Sequence, residues 1–323
     1  MSADDAAIEA FVARILEGSV RAGARAMRLV DDREPIAREI LDRLYRHTGR
    51  ARVIGITGNP GSGKSTLTDR LVSHYRTQGK RVGVVAVDPS SPFTGGAILG
   101  DRIRMNQHAT DPGVFIRSLA TRGNLGGLSR STNDVVAILD AMGFDIVLLE
   151  TVGVGQDEVE VVKLAHTSVV VLVPGLGDDI QAIKAGILEI ADVFAVNKAD
   201  RDGADRTIRD IRNLQMLADT AATGWTPPII RTVATTDDGV ADLVEAIAAH
   251  DTHGRAAGSD AAERLRRREA HILESLIRDR LVERMVEALG DAATRRALLD
   301  RLVARETTPY AEAQRVLDEL LRG

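Results

Sequence analysis

The chain has no cysteine, which excludes thiolate metal sites and disulfides and fits a reducing compartment. It has little aromatic content, 3% against 44% apolar residues overall, so aliphatic side chains must fill the core. Positive charge is not in excess. A formal net charge of -5 and a pI near 5.9 argue against a general nucleic-acid binder. Arg264 and Arg266, Arg267 and Arg268 form a basic run, but Glu263 and Glu269 bracket it as on a solvated helix face. The seven histidines do not make a tightly spaced ligand set. No long apolar stretch is present, and the first residues include Asp4, Asp5 and Glu9, so neither a signal peptide nor a membrane anchor is expected and a cytoplasmic protein is.

What is present begins with Gly58-Asn59-Pro60-Gly61-Ser62-Gly63-Lys64-Ser65, directly after the apolar run 53–57. This is the spacing of a phosphate-binding P-loop, and Thr66 follows it into the next helix. Glycines let consecutive backbone N–H groups aim at phosphate oxygens, Lys64 reaches the β and γ phosphates, and the Ser65 hydroxyl can ligate Mg2+. A Gly-rich turn ahead of a surface helix is the bland alternative. A nucleoside triphosphate is the expected ligand.

A strand at 193–196 delivers Asn197-Lys198-Ala199-Asp200 to the carboxyl end of a sheet, where doubly wound folds bind ligands. The Asp200 carboxylate can accept from both the N1–H and N2–H2 of guanine, an edge that adenine lacks. Asn197 and Lys198 would brace that loop, and GTP/GDP is preferred over adenine nucleotides. A strand at 81–87 ends in Asp88, followed by a loop rich in Pro, Ser and Gly and then by Asp101. Both acids are candidates for the Mg2+ sphere; Asp101 serves equally well as a helix cap. A further strand, 146–149, runs into Glu150-Thr151-Val152-Gly153. Glu150 takes the acid position near Mg2+, and the Gly153 N–H the γ-phosphate position. Asp145 precedes this strand and is expected at its far end. Val154 cannot orient a water as a glutamine would, so intrinsic hydrolysis should be slow. Gln156 either compensates or is a plain surface residue.

Taken together, these segments resemble the MeaB-like GTPases, the methylmalonyl-CoA mutase-associated G proteins of the SIMIBI class, formerly called ArgK or LAO/AO transport ATPases. The resemblance rests on 58–65, on Val87-Asp88-Pro89-Ser90-Ser91 with 94–101, on 150–156, on 174–186 and on Asn197-Lys198-Ala199-Asp200, and it covers roughly residues 10–320. It implies a GTPase chaperone that escorts an adenosylcobalamin-dependent acyl-CoA mutase, gating cofactor loading and protecting the enzyme. It further implies a third switch over 177–184, with Asp178 and Lys184 coupling nucleotide chemistry to the mutase. No corrinoid is expected on the isolated protein, and the choice among acyl-CoA mutases is left open. One departure is visible: the last guanine-loop motif, usually Ser-Ala, is Val233-Ala234, which keeps the Ala234 N–H for guanine O6. A P-loop small-molecule kinase and a GTPase whose partner is unrelated to cobalamin remain as alternatives.

The expected fold class is α/β: a P-loop NTPase domain over 50–250 with a mostly parallel sheet covered by helices. An N-terminal helical arm, 1–49, holds helices at 6–16, 20–29 and 35–45. Strands are expected at 169–173 and 229–233. Polar residues 251–260 read as a hinge. Beyond it lies a C-terminal helical dimerisation region, 251–323, with a long helix at 261–289 and shorter ones at 292–305 and 309–321. Leu265, Leu273, Ile277 and Leu281 belong to an apolar stripe on the long helix, covered either by an intramolecular hairpin or, as the resemblance suggests, by a second copy in a homodimer.

Overall fold

The computed structural model describes residues 3–88, 106–108, 110–120, 127–151, 163–175, 190–217, 224–256 and 259–322. It divides into two compact units, Met1–Arg268 and Glu269–Gly323.

The first unit is built on seven strands: β1 (Arg52–Thr57), β2 (Val82–Asp88), β3 (Val114–Ala120), β4 (Ile146–Thr151), β5 (Thr167–Leu172), β6 (Val193–Val196) and β7 (Ile229–Arg231). They form one sheet in the order β3-β2-β4-β1-β5-β6-β7, with every pairing parallel. Parallel strands are covered on both faces, which is why β4 and β5 are buried at every position and read as continuous apolar runs. The helices of this unit are α1 (Ala3–Leu16), α2 (Val20–Asp31), α3 (Pro35–Tyr45), α4 (Lys64–Thr77), α5 (Gly127–Ala141), α6 (Ala204–Leu217) and α7 (Val240–Ala256), and α8 (Ser259–Ala288) begins in it. On one face, Leu67 and Leu71 of α4 and Leu243 and Ile247 of α7 pack with Ile54, Ile56, Leu148 and Val171. On the other, Ile208 and Ile211 of α6 meet Val170, Phe194 and Val196. The core is aliphatic, as the composition requires.

The N-terminal arm docks through α2 and α3 on α5. The turn that leads from it into β1 is fixed by one buried carboxylate. Asp140 Oδ2 accepts from the Gly49 N–H at 2.6 Å, and Oδ1 accepts from those of Arg50 and Ala51 at 3.2 and 3.0 Å. Three backbone donors on one acceptor pair leave no room for an amide NH2. Asp140→Asn is therefore expected to lower unfolding free energy by about 2 kcal/mol, the cost of a buried donor facing a donor, read as a lower urea midpoint at unchanged slope.

At the N-terminal edge of the sheet, Asp145 Oδ2 accepts from Arg81 N–H at 2.8 Å and its carbonyl accepts from Arg52 N–H at 2.8 Å. Asp145 thus sits at the strand starts, at the end opposite the P-loop, as expected from its position. His166 closes the same edge. Its Nδ1 accepts from Val53 N–H at 3.0 Å, and an Arg268 guanidinium nitrogen lies 2.8 Å from Nε2. Burial first, then the Arg268 cation, push the pKa of this ring down to about 4. The unfolded ring titrates near 6.5, so protonation favours the unfolded chain. The contribution of neutral His166 is complete above about pH 6.5 and is lost as pH falls toward about 4, up to roughly 3 kcal/mol. His166→Asn should flatten the loss of stability across that window, measured by denaturant midpoints at a series of pH values.

Two expectations need correcting. Residues 251–256 continue α7 and 259–260 open α8, where the polar composition had suggested a hinge over 251–260. Tertiary contacts hold the last turns of α7: Arg52 pairs with Asp251 at 3.3 Å, and the Trp225 ring lies 5.1 Å from both His250 and His253. The strand expected over 229–233 is also shorter, ending at Arg231, with Val233 in an isolated bridge to Asp238.

The second unit holds the rest of α8, then α9 (Ala292–Val303) and α10 (Pro309–Arg322). Asp291 caps α9, accepting from the Thr294 N–H at 2.8 Å and its hydroxyl at 2.7 Å. Along α8, Leu273, Ile277 and Leu281 are more than half exposed, at 58%, 51% and 56%. Among the described residues no helix is long and apolar enough to cross a membrane.

Candidate nucleotide site

Strand β1 ends at Thr57 in the middle of the sheet, and the chain turns through Gly58 to Gly63 into α4. Gly58 has φ +138°, and a Cβ there would stand 2.1 Å from the Val171 carbonyl oxygen; no other residue fits. Gly63, the N-cap at φ +91°, would drive a Cβ to 2.4 Å from Asn197 Nδ2. Asn59 is half-buried, Pro60 and Gly61 are exposed, and Ser62 is buried within the turn. The turn leaves the first N–H groups of α4 and its positive dipole end facing the mouth of the loop, which suits an anion.

Lys64 is the first residue of α4 and is 6% exposed. Its Nζ donates to the carbonyls of Gly58 and Asn59 at 2.6 and 3.0 Å, so the ammonium spans the loop from which it would reach phosphate. Ser65 and Thr66 follow, both half-buried. Ser65 Oγ donates to Glu150 Oε1 at 2.5 Å. Glu150, 3% exposed, reaches this point because β4 is the neighbour of β1, with Glu150 in register with Ile56. A hydroxyl and a carboxylate at the loop mouth are hard oxygen donors of the kind Mg2+ takes, with phosphate oxygens and water completing its shell. No group of three or more His, Asp or Glu residues suited to a metal occurs among the described residues, so the fit to Mg2+ rests on this pair.

Asp88 ends β2, the neighbour of β4, which brings its backbone to the same edge of the sheet as the P-loop. Its side chain lies outside the described set. So do Asp101, Gly153, Val154, Gln156, Asp178 and Lys184.

The loop of Asn197 to Asp200 is tied directly to the P-loop. Asn197, 2% exposed at the end of β6, donates from Nδ2 to the Ser62 carbonyl at 2.8 Å. Its Oδ1 accepts from the Ala234 N–H at 3.1 Å and the Thr232 hydroxyl at 3.3 Å. Lys198, held at φ +55°, donates from Nζ to the Gly61 carbonyl at 2.7 Å. Asp200 is exposed beyond them. The Ala234 N–H was expected to be available for guanine O6; here it is given to Asn197, so a bound base must share or displace that bond. Arg70 of α4, which the sequence did not single out, donates to the Ala234 carbonyl at 3.1 Å. Nothing in the sequence signals that contact, because its partners are 164 residues apart.

A family model described as methylmalonyl Co-A mutase-associated GTPase MeaB matches residues 23–290. A protein of Pyrococcus abyssi is 47% identical over 318 residues, covering 98% of each chain. GTPase ArgK of Escherichia coli is 39% identical over 203 residues, 62% of this chain and 61% of its own. Among solved structures, a LAO/AO transport system kinase superposes over the full length of both chains with a TM-score of 0.73 at 24% identity, a likeness of fold. With the Gly58–Ser65 turn bonded to the loop of Asn197 to Asp200 on a parallel sheet, and a family match across most of its length, this chain belongs to the methylmalonyl-CoA mutase-associated MeaB GTPases.

Proposed function

We propose that this chain is a GTP-hydrolysing chaperone of an adenosylcobalamin-dependent acyl-CoA mutase, gating cofactor loading and protecting the mutase through its nucleotide state. The observation that supports it most is the bridge from Asn197 and Lys198 to Ser62 and Gly61, which makes base recognition and phosphate recognition one connected unit. Membership of a mutase-associated family supports the partner.

In this reading Lys64 and the N–H groups of 58–66 hold the β and γ phosphates, and Ser65 with Glu150 holds Mg2+. That ion supplies neutralisation of phosphate charge; Asp88 and Asp101 complete its acidic surroundings. The Gly153 N–H takes the γ-phosphate, and Asp200 reads guanine. With Val154 where a water-orienting glutamine would stand, turnover is slow until the partner engages. Asp178 and Lys184 then carry nucleotide state to the mutase. The exposed Leu273, Ile277 and Leu281 of α8 support a homodimer built on the C-terminal region. A cytoplasmic location belongs to the same reading, and a chain that needs no disulfide is compatible with that reducing compartment.

The test is GTP hydrolysis by the purified protein with and without the adenosylcobalamin-dependent mutase of the same organism, with ATP as control. A slow GTP-specific rate that rises with the mutase supports the reading; no response to any such mutase sinks the chaperone role and keeps the GTPase. In the same assay Lys184→Ala is expected to leave GTP affinity within about twofold while removing most of the mutase response, since a lost coupling contact changes the linkage between sites and not each binding step. An unaltered response would end the third-switch assignment.

A further inference from the structure

Between α6 and β7 lies a groove with a cavity of ≈ 390 Å³, lined by Asp205, Ile208, Arg209, Arg212, Ile229 and Arg231. Positions 205, 208, 209 and 212 recur at helical spacing, so one face of α6 supplies most of the lining. Ile208 is buried and Ile229 half-buried, while the three arginines are exposed. Asp205 is the single acid of the lining and accepts from Arg231. Arg209 and Arg212 have no ion-pair partner among the described residues, although Arg206 on the next face pairs with Asp210. The groove therefore carries positive charge that the described residues do not neutralise.

It also runs along an open strand. β7 is the edge of the sheet among the described residues. The Pro228 carbonyl and the Thr232 N–H are bonded to β6, which turns the N–H and C=O of Ile229 away from the sheet. At the far end Arg231 donates to the Ala199 carbonyl at 3.3 Å, next to Asp200.

We propose that this groove docks an extended acidic segment of a protein partner, with carboxylates on Arg209 and Arg212, an apolar side chain on Ile208 and Ile229, and its main chain along the edge at Ile229. A bare phosphate would use the arginines alone and leave the apolar floor and the strand edge idle; an extended peptide uses all three. The Arg231 bond to Ala199 ties this groove to the base-reading loop. The proposal rests on the mutase reading only for which protein carries the segment.

The experiment is fluorescence anisotropy of a labelled peptide of alternating glutamate and valine against the full-length protein. Binding is expected, weaker at higher salt, and reduced about tenfold or more in Arg209→Glu/Arg212→Glu, with Arg209→Gln/Arg212→Gln in between. Arg266→Glu, on an exposed stretch of α8, should bind as the unaltered protein does. Absence of binding, an equal loss in Arg266→Glu, or complete displacement of the peptide by inorganic pyrophosphate would each overturn the proposal, the last by making the groove a small-anion site. Mutase-stimulated GTP hydrolysis on the same proteins separates the two readings. Peptide binding with no mutase response sinks the chaperone role and keeps the groove; a mutase response that survives both arginine pairs, with no peptide binding, does the reverse.

Discussion

Replacing Lys64 by alanine should lower affinity for GTP and GDP by at least about 100-fold, the loss of charge-assisted hydrogen bonds worth roughly 1.5–3 kcal/mol each to phosphate oxygens. The same ammonium donates to the carbonyls of Gly58 and Asn59. The variant therefore also removes two donations inside the loop, and a modest fall in stability, about 1 kcal/mol, should accompany the larger fall in binding. The two effects separate in one pair of measurements. Calorimetric titration with GTP reads affinity, and a thermal melt without nucleotide reads the loop. Normal GTP affinity in a folded variant would remove this loop as the triphosphate site.

The position of Lys64 in the fold could be read from sequence because it is local: a strand, six turn residues and a helix start lie within one short segment. The same holds for Glu150 and for Asn197 to Asp200, each placed at a strand end by a buried apolar run. Elements that depend on distant partners were not legible. β3 carries Arg117 and Ser118, which break its apolar run; Arg117 pairs with Asp31 of α2, so an edge strand is held partly by an ion pair that no periodicity announces. α5 opens with Gly127, Ser129, Ser131, Thr132 and Asn133, residues of poor helix propensity, and is held by the packing of Val135, Ile138 and Leu139 beneath the N-terminal arm. The end of α7 reads as a polar linker because Asp251, Thr252, His253 and Gly254 suit one. Yet the ring of His250, 4% exposed, bonds Thr167 Oγ1 at 2.9 Å and lies 3.2 Å from the Asp192 carboxylate, which anchors the turn before it. In the site itself the unread feature was the mutual bonding of Asn197, Thr232 and Ala234. It joins two loops that sequence reasoning treated separately.

That joining bears on base selection, where the second large effect is expected. Asp200→Asn should reduce GTP affinity by about 100-fold, since a carboxylate that accepts two guanine hydrogen bonds is replaced by an amide with one acceptor and one donor. Xanthine carries an oxygen where guanine carries its amino group, so the same amide can donate to it. Affinity for XTP should therefore rise as that for GTP falls, while ATP stays weak in both proteins. Stability should not change, because Asp200 is exposed and makes no bond among the described residues that the variant would break. This contrasts with Asn197, where a substitution would remove one of the two bonds between the loops and the bonds to Thr232 and Ala234, and so confound selectivity with folding. Competition of GTP, XTP and ATP for the unaltered and Asp200→Asn proteins measures the exchange directly. Unchanged discrimination in the variant would mean that the base is read elsewhere, and with it would go the assignment of Asn197 to Asp200 as the guanine loop.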